Sequence, residues 1–436
     1  VVAVFNRTVS KVDAFLANEA KGTRVVGTRS IEELCASLKR PRRVFLLVKA
    51  GQAVDEFIEA LIPHLEKGDV IIDGTTGSVV LSAGVKMTDL TITANGIFSL
   101  RGYGFSFTAP AAVENSGIFR LQGGETLTNV SNLDINTGTV EYVGDGDTFV
   151  TDYVVKDFGA TDYFNLKINA VDSNDTFGIE AAKSIAGTFD MTSGGFANYD
   201  NGGVAYYLSV TGLTTINGGI FSFGDVGTAF GGGLTLSSGS IAGTPNTGSI
   251  DVTGNFLQSA GSCDLRNLNV LNVSGNFTHS GGTFLAPTTV VLNGTSQQIS
   301  GDTTFNDLTK DVSATAADTL SFASGSTQTV TGTLTLKGAS GKVLTLARLG
   351  GGGSDQWSIN PSGTWTVDYV SVSNSENLDA DKILPTNSTN GGNNTNWFDG
   401  ISIAGTSNSS GTVWLAFNGV VQAATGAIAA GVWSIA

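Results

Sequence analysis

The chain has 436 residues and a mass of 44.8 kDa, with 58 Gly, 7 Pro, 2 Cys and 2 His, and 14% of its residues are charged against about 25% in an ordinary globular domain. Scarce charge with abundant Gly argues against a plain helical enzyme, and a hydrophobic content of 41% argues against disorder throughout. The formal net charge of -15 argues against a nucleic-acid partner, because a phosphate backbone repels an acidic surface.

Charge and Gly are unevenly spread. Residues 1–74 hold 11 Lys/Arg, 10 Asp/Glu and 5 Gly, leaving 12 basic residues, 28 acidic residues and 53 Gly for the remainder. Two kinds of sequence therefore meet at residues 73–76. Cys35 and Cys263 fall one in each part, so they read as small buried hydrophobes rather than a disulfide or metal framework. No apolar run approaches the ~18 residues of a membrane-spanning helix. The opening Val1-Val2-Ala3-Val4-Phe5 carries no Met, basic region or cleavage site, so the chain reads as cut at its start.

In the first part, Val1 to Phe5 predicts a strand buried on both faces, followed by a helix through Ala20 capped by Thr8 or Ser10, with Val12, Phe15, Leu16 and Ala20 as its buried stripe. Val25-Val26-Gly27 predicts a second strand. Ser30 with Glu33 forms a capping box for a helix whose apolar face is Ile31, Leu34, Cys35 and Leu38. A strand at Val44–Val48, a helix at Val54–Glu66 and a strand at Val70–Asp73 complete a β-α-β-α-β-α-β pattern, which implies a parallel sheet.

Three segments carry a family resemblance: Asn6-Arg7-Thr8-Val9-Ser10-Lys11-Val12-Asp13, Leu46-Leu47-Val48-Lys49-Ala50-Gly51-Gln52-Ala53-Val54-Asp55 and Asp69-Val70-Ile71-Ile72-Asp73-Gly74. Together they closely resemble the NADP-binding domain of 6-phosphogluconate dehydrogenase, over about the first 74 positions. The resemblance implies a Rossmann-like α/β segment in which Asn6, Arg7 and Thr8 grip the 2′-phosphate of NADP, with Val48, Lys49, Ala50 and Gly51 lying along the cofactor. A guanidinium at a strand end beside a helix N-terminus suits a phosphate dianion.

The chain also departs from the family. The family's first strand and Gly-rich turn would precede Val1, Thr75-Thr76 follows Gly74 where the family continues Gly-Asn, and the helical domain with the family's catalytic Lys and Glu has no counterpart. Because the absent strand is central in the doubly wound order, the sheet is expected to expose apolar edges. Arg7 and Lys49 are accordingly read as vestigial. NADP is expected only if this segment works alone, and no cofactor is expected for the whole chain.

From Thr75 to about Trp397, short alternating runs such as Leu90-Thr91-Ile92-Thr93, Leu133-Asp134-Ile135-Asn136 and Leu334-Thr335-Leu336 alternate with Gly/Asn/Ser turns, the pattern of half-buried strands. Ile250-Asp251-Val252-Thr253-Gly254-Asn255-Phe256 repeats as Leu271-Asn272-Val273-Ser274-Gly275-Asn276-Phe277 at an offset of 21 residues. Leu208–Gly212 fits the same template, with weaker copies at Ile185–Phe189 and Val330–Leu334. This period, without helices, predicts a right-handed parallel β-helix (β-solenoid) of about 15 rungs and roughly 70 Å. Ile250, Val252, Phe256, Leu271, Val273 and Phe277 are its expected inward positions, with hydroxyl ladders facing out.

The runs around Trp357, Trp365 and the Asn-rich stretch to Trp397 resemble the last rungs of secreted or surface-displayed bacterial β-helix proteins. Gly411–Gly419 and Gly431–Ile435 resemble opening strands of an Ig-like sandwich, which would be cut at the chain's end. The expected organisation is a partial Rossmann-like domain at 1–74, a β-solenoid at 75–399 and an Ig-like β segment at 400–436.

Chemistry-bearing residues are sparse in the repeat. Asp145-Gly146-Asp147 and Asp172-Ser173-Asn174-Asp175 are its densest acidic spots and read as solvated turn carboxylates, with a weak Ca²⁺ site or a catalytic pair as alternatives. His279 occupies a place where other rungs carry Gln258 or Thr215 and reads as a surface residue. Gly350–Ser354 reads as a wide turn between two strands. No catalytic or metal-ligating set is assigned. The repeat is expected to be a structural or adhesive rod, extracellular or at the cell surface, meeting glycans or neighbouring surface proteins. The alternatives are an NADP-binding dehydrogenase fragment, whose family is cytoplasmic, and a carbohydrate-active β-helix enzyme.

Overall fold

The computed structural model describes residues 2–46, 52–66, 69–73, 78–133, 137–159, 163–243, 248–350 and 354–399, together with the backbone of strands between 403 and 435. Within the N-terminal segment the order is β1 (Ala3–Phe5), α1 (Val9–Ala17), β2 (Val26–Thr28), α2 (Ile31–Ser37), β3 (Arg43–Leu46), α3 (Gln52–Leu61) and β4 (Val70–Asp73). Ser30 Oγ accepts from Glu33 N at 3.0 Å, so the predicted cap forms, while Glu33 Oε2 reaches back one residue further and accepts from Arg29 N at 2.7 Å rather than from Ser30 N. At the N-terminus of α1, by contrast, the Thr8 side chain makes no capping bond.

The four strands do not make one sheet. β1 pairs in parallel with β2, and β3 with β4, and no pairing joins the two couples among the described residues. Without a shared neighbour, faces expected to be covered lie open. Phe45 is 58% exposed, Val26 42% and Phe15 38%, and Ala3, Val4 and Phe5 are only half-buried. These correct the readings of Phe15 as a buried stripe residue and of the first strand as buried on both faces. The small core that does form joins Leu34, Cys35, Val44, Leu46, Phe57, Leu61 and Ile71. Buried Arg42 locks it by donating to Asp69 Oδ2 at 2.7 Å and to Cys35 O at 2.8 Å.

The rest of the molecule is mainly β, and among the described residues no helix follows His64. β4 turns back as an antiparallel partner of β5 (Ser78–Leu81), which pairs in parallel with Ile97–Ser99. From there parallel strands stack through Thr389–Asn390 as a solenoid of about 16 turns. Each turn in its middle contributes strands to three faces. On the first face nine strands run from Lys183–Ile185 to Thr364–Asp368.

Side chains alternate with the pleat, and register stacks like on like. Ile185, Val210, Phe230, Val252 and Val273 fall in one inward column. Phe256 lies over Phe277 with ring centroids 4.9 Å apart, and Phe322 over Trp357 at 3.8 Å. All six predicted inward residues of the two clearest repeats are at most 1% exposed. Gly212, Gly232, Gly254 and Gly275 stack at the corner between the first and second faces, where Gly275 N donates to Gly254 O at 3.0 Å and a Cβ on Gly275 would lie 2.3 Å from that oxygen. The recurrent Gly therefore marks a backbone contact that leaves no room for a side chain.

The weak copy at Val330–Leu334 is out of phase. It spans the corner from the third face back to the first, whereas Val252–Phe256 spans the corner from the first to the second. Leu133 is buried, and the remainder of its predicted strand, 134–136, lies outside the described residues.

Trp357 and Trp397, 0% and 1% exposed, sit edge to face at 6.1 Å near the last turns, where Asn394 Nδ2 donates to Val372 O at 2.7 Å. Beyond them, Ile403–Ser407 pairs with Gly431–Ile435, Gly411–Val413 with Gly426–Ile428 and Ala416–Phe417 with Val420–Val421, all antiparallel and nested. Among the described residues these are three separate two-stranded antiparallel pairings.

Candidate functional site

Three places carry the chemistry expected from the sequence. In the turn between β1 and α1, Asn6 Oδ1 accepts from Thr8 N at 2.9 Å, which orders the backbone ahead of the helix. Arg7 is exposed, yet its Nη2 lies 3.1 Å from Glu56 Oε2 and its guanidinium sits 4.3 Å from the Phe57 ring centroid. A carboxylate and an aromatic face thus already engage the cation that the resemblance assigns to a phosphate. Val48, Lys49, Ala50 and Gly51 lie outside the described residues. For NADP the fit is confined to one end. Arg7 and the start of α1 suit a 2′-phosphate, but the five Gly of residues 1–74 stand at 22, 27, 51, 68 and 74 and supply no Gly-rich turn for the pyrophosphate.

The two acidic spots, 27 residues apart in sequence, come together on adjacent turns. Val171 N donates to Val143 O at 2.8 Å and Asn174 Nδ2 to Thr148 O at 3.4 Å, which seats one acidic turn on the other. Asp145 and Asp147 are exposed, as expected of turn carboxylates, and Asp172 is half-buried. Asp175 is different. It is 0% exposed, and neither of its carboxylate oxygens has a hydrogen-bond partner. The expectation of a solvated turn carboxylate fails there, because the turn above folds over it: a Cβ on Gly144 would lie 1.8 Å from Asp175 Oδ2. Burial, then the charges of Asp145, Asp172 and Asp147, hold the Asp175 carboxyl above its usual range, and the Asp145 N–H that faces it falls short of a formed hydrogen bond. Burial and Asp145 likewise push the neighbouring Tyr153 phenol up.

His279 is half-buried rather than freely exposed. It stands in register with Gln258 and, further down, with Leu236 and Ile216, not Thr215, so it ends an inward column. Its Nδ1 lies 2.9 Å from Asp302 O. Beside it Phe284, Asp302, Thr303, Thr327 and Thr329 line an open groove of about 360 Å³.

Sequence reasoning passed over the buried lysines. Lys310 is 1% exposed and reaches Asp318 Oδ2 at 2.7 Å and Gln297 Oε1 at 2.9 Å, while Lys183 reaches Asp157 at 2.8 Å. The available signal was alternation: Lys310 shares its phase with Leu308 and Val312, both buried. Glu141 is 1% exposed between Arg120 and Lys167 of the flanking strands. Among the described residues no three His, Cys, Asp or Glu side chains converge as a ready metal cage. Nor does any described helix have the length and apolarity to cross a membrane.

Fold and site together define a parallel β-solenoid bearing an α/β segment with an ordered strand-to-helix turn at Asn6–Thr8. Comparison with known proteins resolves that segment further. Residues 1–94 match the family described as the NAD binding domain of 6-phosphogluconate dehydrogenase. Over 74 residues the chain is 74% identical to the decarboxylating 6-phosphogluconate dehydrogenase of Cunninghamella elegans and 70% identical to that of Homo sapiens. Over 73 residues it is 60% identical to the enzyme of Haemophilus influenzae. Each match covers 17% of this chain and 15% of the relative, so the chain spans about a seventh of the length of the curated relatives it matches.

Proposed function

We propose that this chain is a structural and adhesive rod, extracellular or displayed on a bacterial surface, and that its dehydrogenase-like segment does not act as an oxidoreductase. The observation that carries the reading is the outward column of the first face. Ser184, Ser209, Ala229, Asp251, Asn272, Val291, Thr309, Thr335 and Thr366 follow one another in register, mostly small hydroxyl and amide groups with a single charge. Such a face offers regularly spaced donors and acceptors to glycans or neighbouring proteins without the desolvation cost of charge. The groove beside His279 and Phe284 adds a ring edge and hydroxyls of the kind sugars use.

The runner-up reading is NADP binding, favoured by the 70–74% identity over 74 residues. Engagement of Arg7 by Glu56 weighs against it. A third reading is a carbohydrate-active enzyme, for which the exposed Asp145 and Asp147 would be the accessible carboxylates.

The test uses the full chain. It is applied to a glycan array and to immobilised bacterial surface extract, titrated with NADP⁺, and assayed for NADPH formation from 6-phosphogluconate. Retention on glycan or surface protein, with no NADP⁺ binding tighter than about 1 mM (about 4 kcal/mol) and no turnover, is expected. Turnover, or no retention on any surface, overturns the reading.

A further inference from the structure

We infer that the corner between the second and third faces around Asp302 binds one short neutral oligosaccharide, with a sugar ring on each side of that residue. The inference rests on the adhesive reading and gives it one ligand class and one place. The site begins with corner length. Three residues, 280–282, join strand Phe277–His279 to Thr283–Leu285, and four, 323–326, join Asp318–Phe322 to Thr327–Val330, but only Gly301 and Asp302 join Gln297–Ser300 to Thr303–Phe305. The short corner is recessed between two longer ones. Two hollows open there and share His279, Gly282 and Asp302, one of about 460 Å³ bounded also by Ser280 and Ser324, the other of about 360 Å³ bounded by Phe284, Thr304 and Thr329. Each has the size of a small-ligand site.

The groups between the hollows are held in place. His279 Nδ1 donates to Asp302 O at 2.9 Å, since a carbonyl only accepts, and Asp302 Oδ1 accepts from Thr327 N at 2.8 Å. Asp302 is exposed, and its Oδ2 has no partner among the described residues. The next turn sets Gly301 against the His279 carbonyl, where a Cβ would lie 1.7 Å from that oxygen, so the residue stacked there carries no side chain to cover the imidazole. A free carboxylate oxygen makes strong bonds to hydroxyl donors, and Ser and Thr hydroxyls both donate and accept. Thr304 and Thr329 stand in register one turn apart. The rings of His279 and Phe284, with centroids 5.9 Å apart, offer a surface to the C–H face of a sugar. No Lys or Arg lines either hollow, so a sulfated or uronic sugar would bring its anion to Asp302 with nothing to neutralise it. A protein strand is a poor occupant, because the strands here are already paired with the turns beside them.

The experiment titrates the full chain with maltose, cellobiose, lactose and digalacturonate by calorimetry and saturation-transfer NMR. At least one neutral disaccharide is expected to bind with a Kd near or below about 1 mM, and digalacturonate is not. Asp302→Asn keeps an acceptor for the Thr327 N–H and should weaken binding about tenfold or more, with an unchanged melting temperature. Ser324→Leu and Thr304→Leu, at exposed positions in the two hollows, should each do the same by filling space, and they decide if Asp302→Asn fails to fold. Thr335→Ala, on the first face, should leave binding unchanged. Binding that survives all three groove substitutions, or digalacturonate binding as tightly as the neutral sugars, overturns the site. No disaccharide binding also overturns it, and if the chain is still retained on surface extract the adhesive reading stands without it.

Discussion

The ammonium of Lys310 lies 2.7 Å from Asp318 Oδ2 inside the rod, the two side chains only 1% and 8% exposed. Lys310 follows Leu292 on an inward column and precedes Leu336 and Val367, so a charge stands where the neighbouring turns place aliphatic carbon. Gln297 Oε1 at 2.9 Å takes a second of its protons. Removing one partner would strand the other charge. Lys310→Met is therefore expected to cost about 3–5 kcal/mol, and the double variant Lys310→Met with Asp318→Leu markedly less. Urea unfolding of the three proteins checks this, and a double variant as unstable as the single would refute it.

Acid should destabilise both the rod and the N-terminal segment through a few carboxylates. Asp318, Glu141 and Asp69 each feel burial first, which raises them. Each is nonetheless held below its usual range, by Lys310 and the Ser296 N–H, by Arg120, Asn169 and Lys167, and by the Arg42 and Glu66 donors respectively. A lowered folded-state value means that stability is complete above the unfolded value, about 4, and is lost as pH falls through the folded one. From these three groups the melting temperature should stay flat from pH 7 to about 5 and drop below about 4, whereas Asp175, held above its usual range, adds stability as pH falls through its folded value. Circular-dichroism melts across that range test the sign, since a rise on acidification has the opposite cause.

The glycine column predicts an intolerance that propensity alone does not. Gly254→Ala would place a Cβ 2.5 Å from the Gly232 carbonyl carbon and Gly275→Ala one 2.3 Å from Gly254 O. Backbone of successive turns must then separate, at about 1–3 kcal/mol for each substitution. Denaturant midpoints of both variants would reveal it, and unchanged midpoints would mean the corner can relax.

Both thiols should be silent in the folded protein. Cys35 and Cys263 are buried and free, and burial raises the pKa of each. A thiol that is neither ionised nor reachable does not attack a disulfide reagent. Ellman titration is expected to count none in buffer and two in guanidinium.

Much of this molecule was legible in its residues because both kinds of periodicity are local. Period-2 alternation with a 21-residue offset marks Ile250, Val252, Phe256 and their counterparts as core, and Ser30 with Glu33 announces a helix cap within four residues. The strand-to-helix turn at Asn6–Thr8 was equally visible, being one short segment. What tertiary structure decided is whatever depends on residues that meet only through stacking. The separation of β1·β2 from β3·β4 is a matter of which strands find neighbours. The burial of Lys310 depends on Gln297 and Asp318 arriving from adjoining strands to satisfy it. The same holds for Asp175, whose text is that of an exposed turn. Only the turn above, folding Gly144 onto its carboxylate, takes away its water.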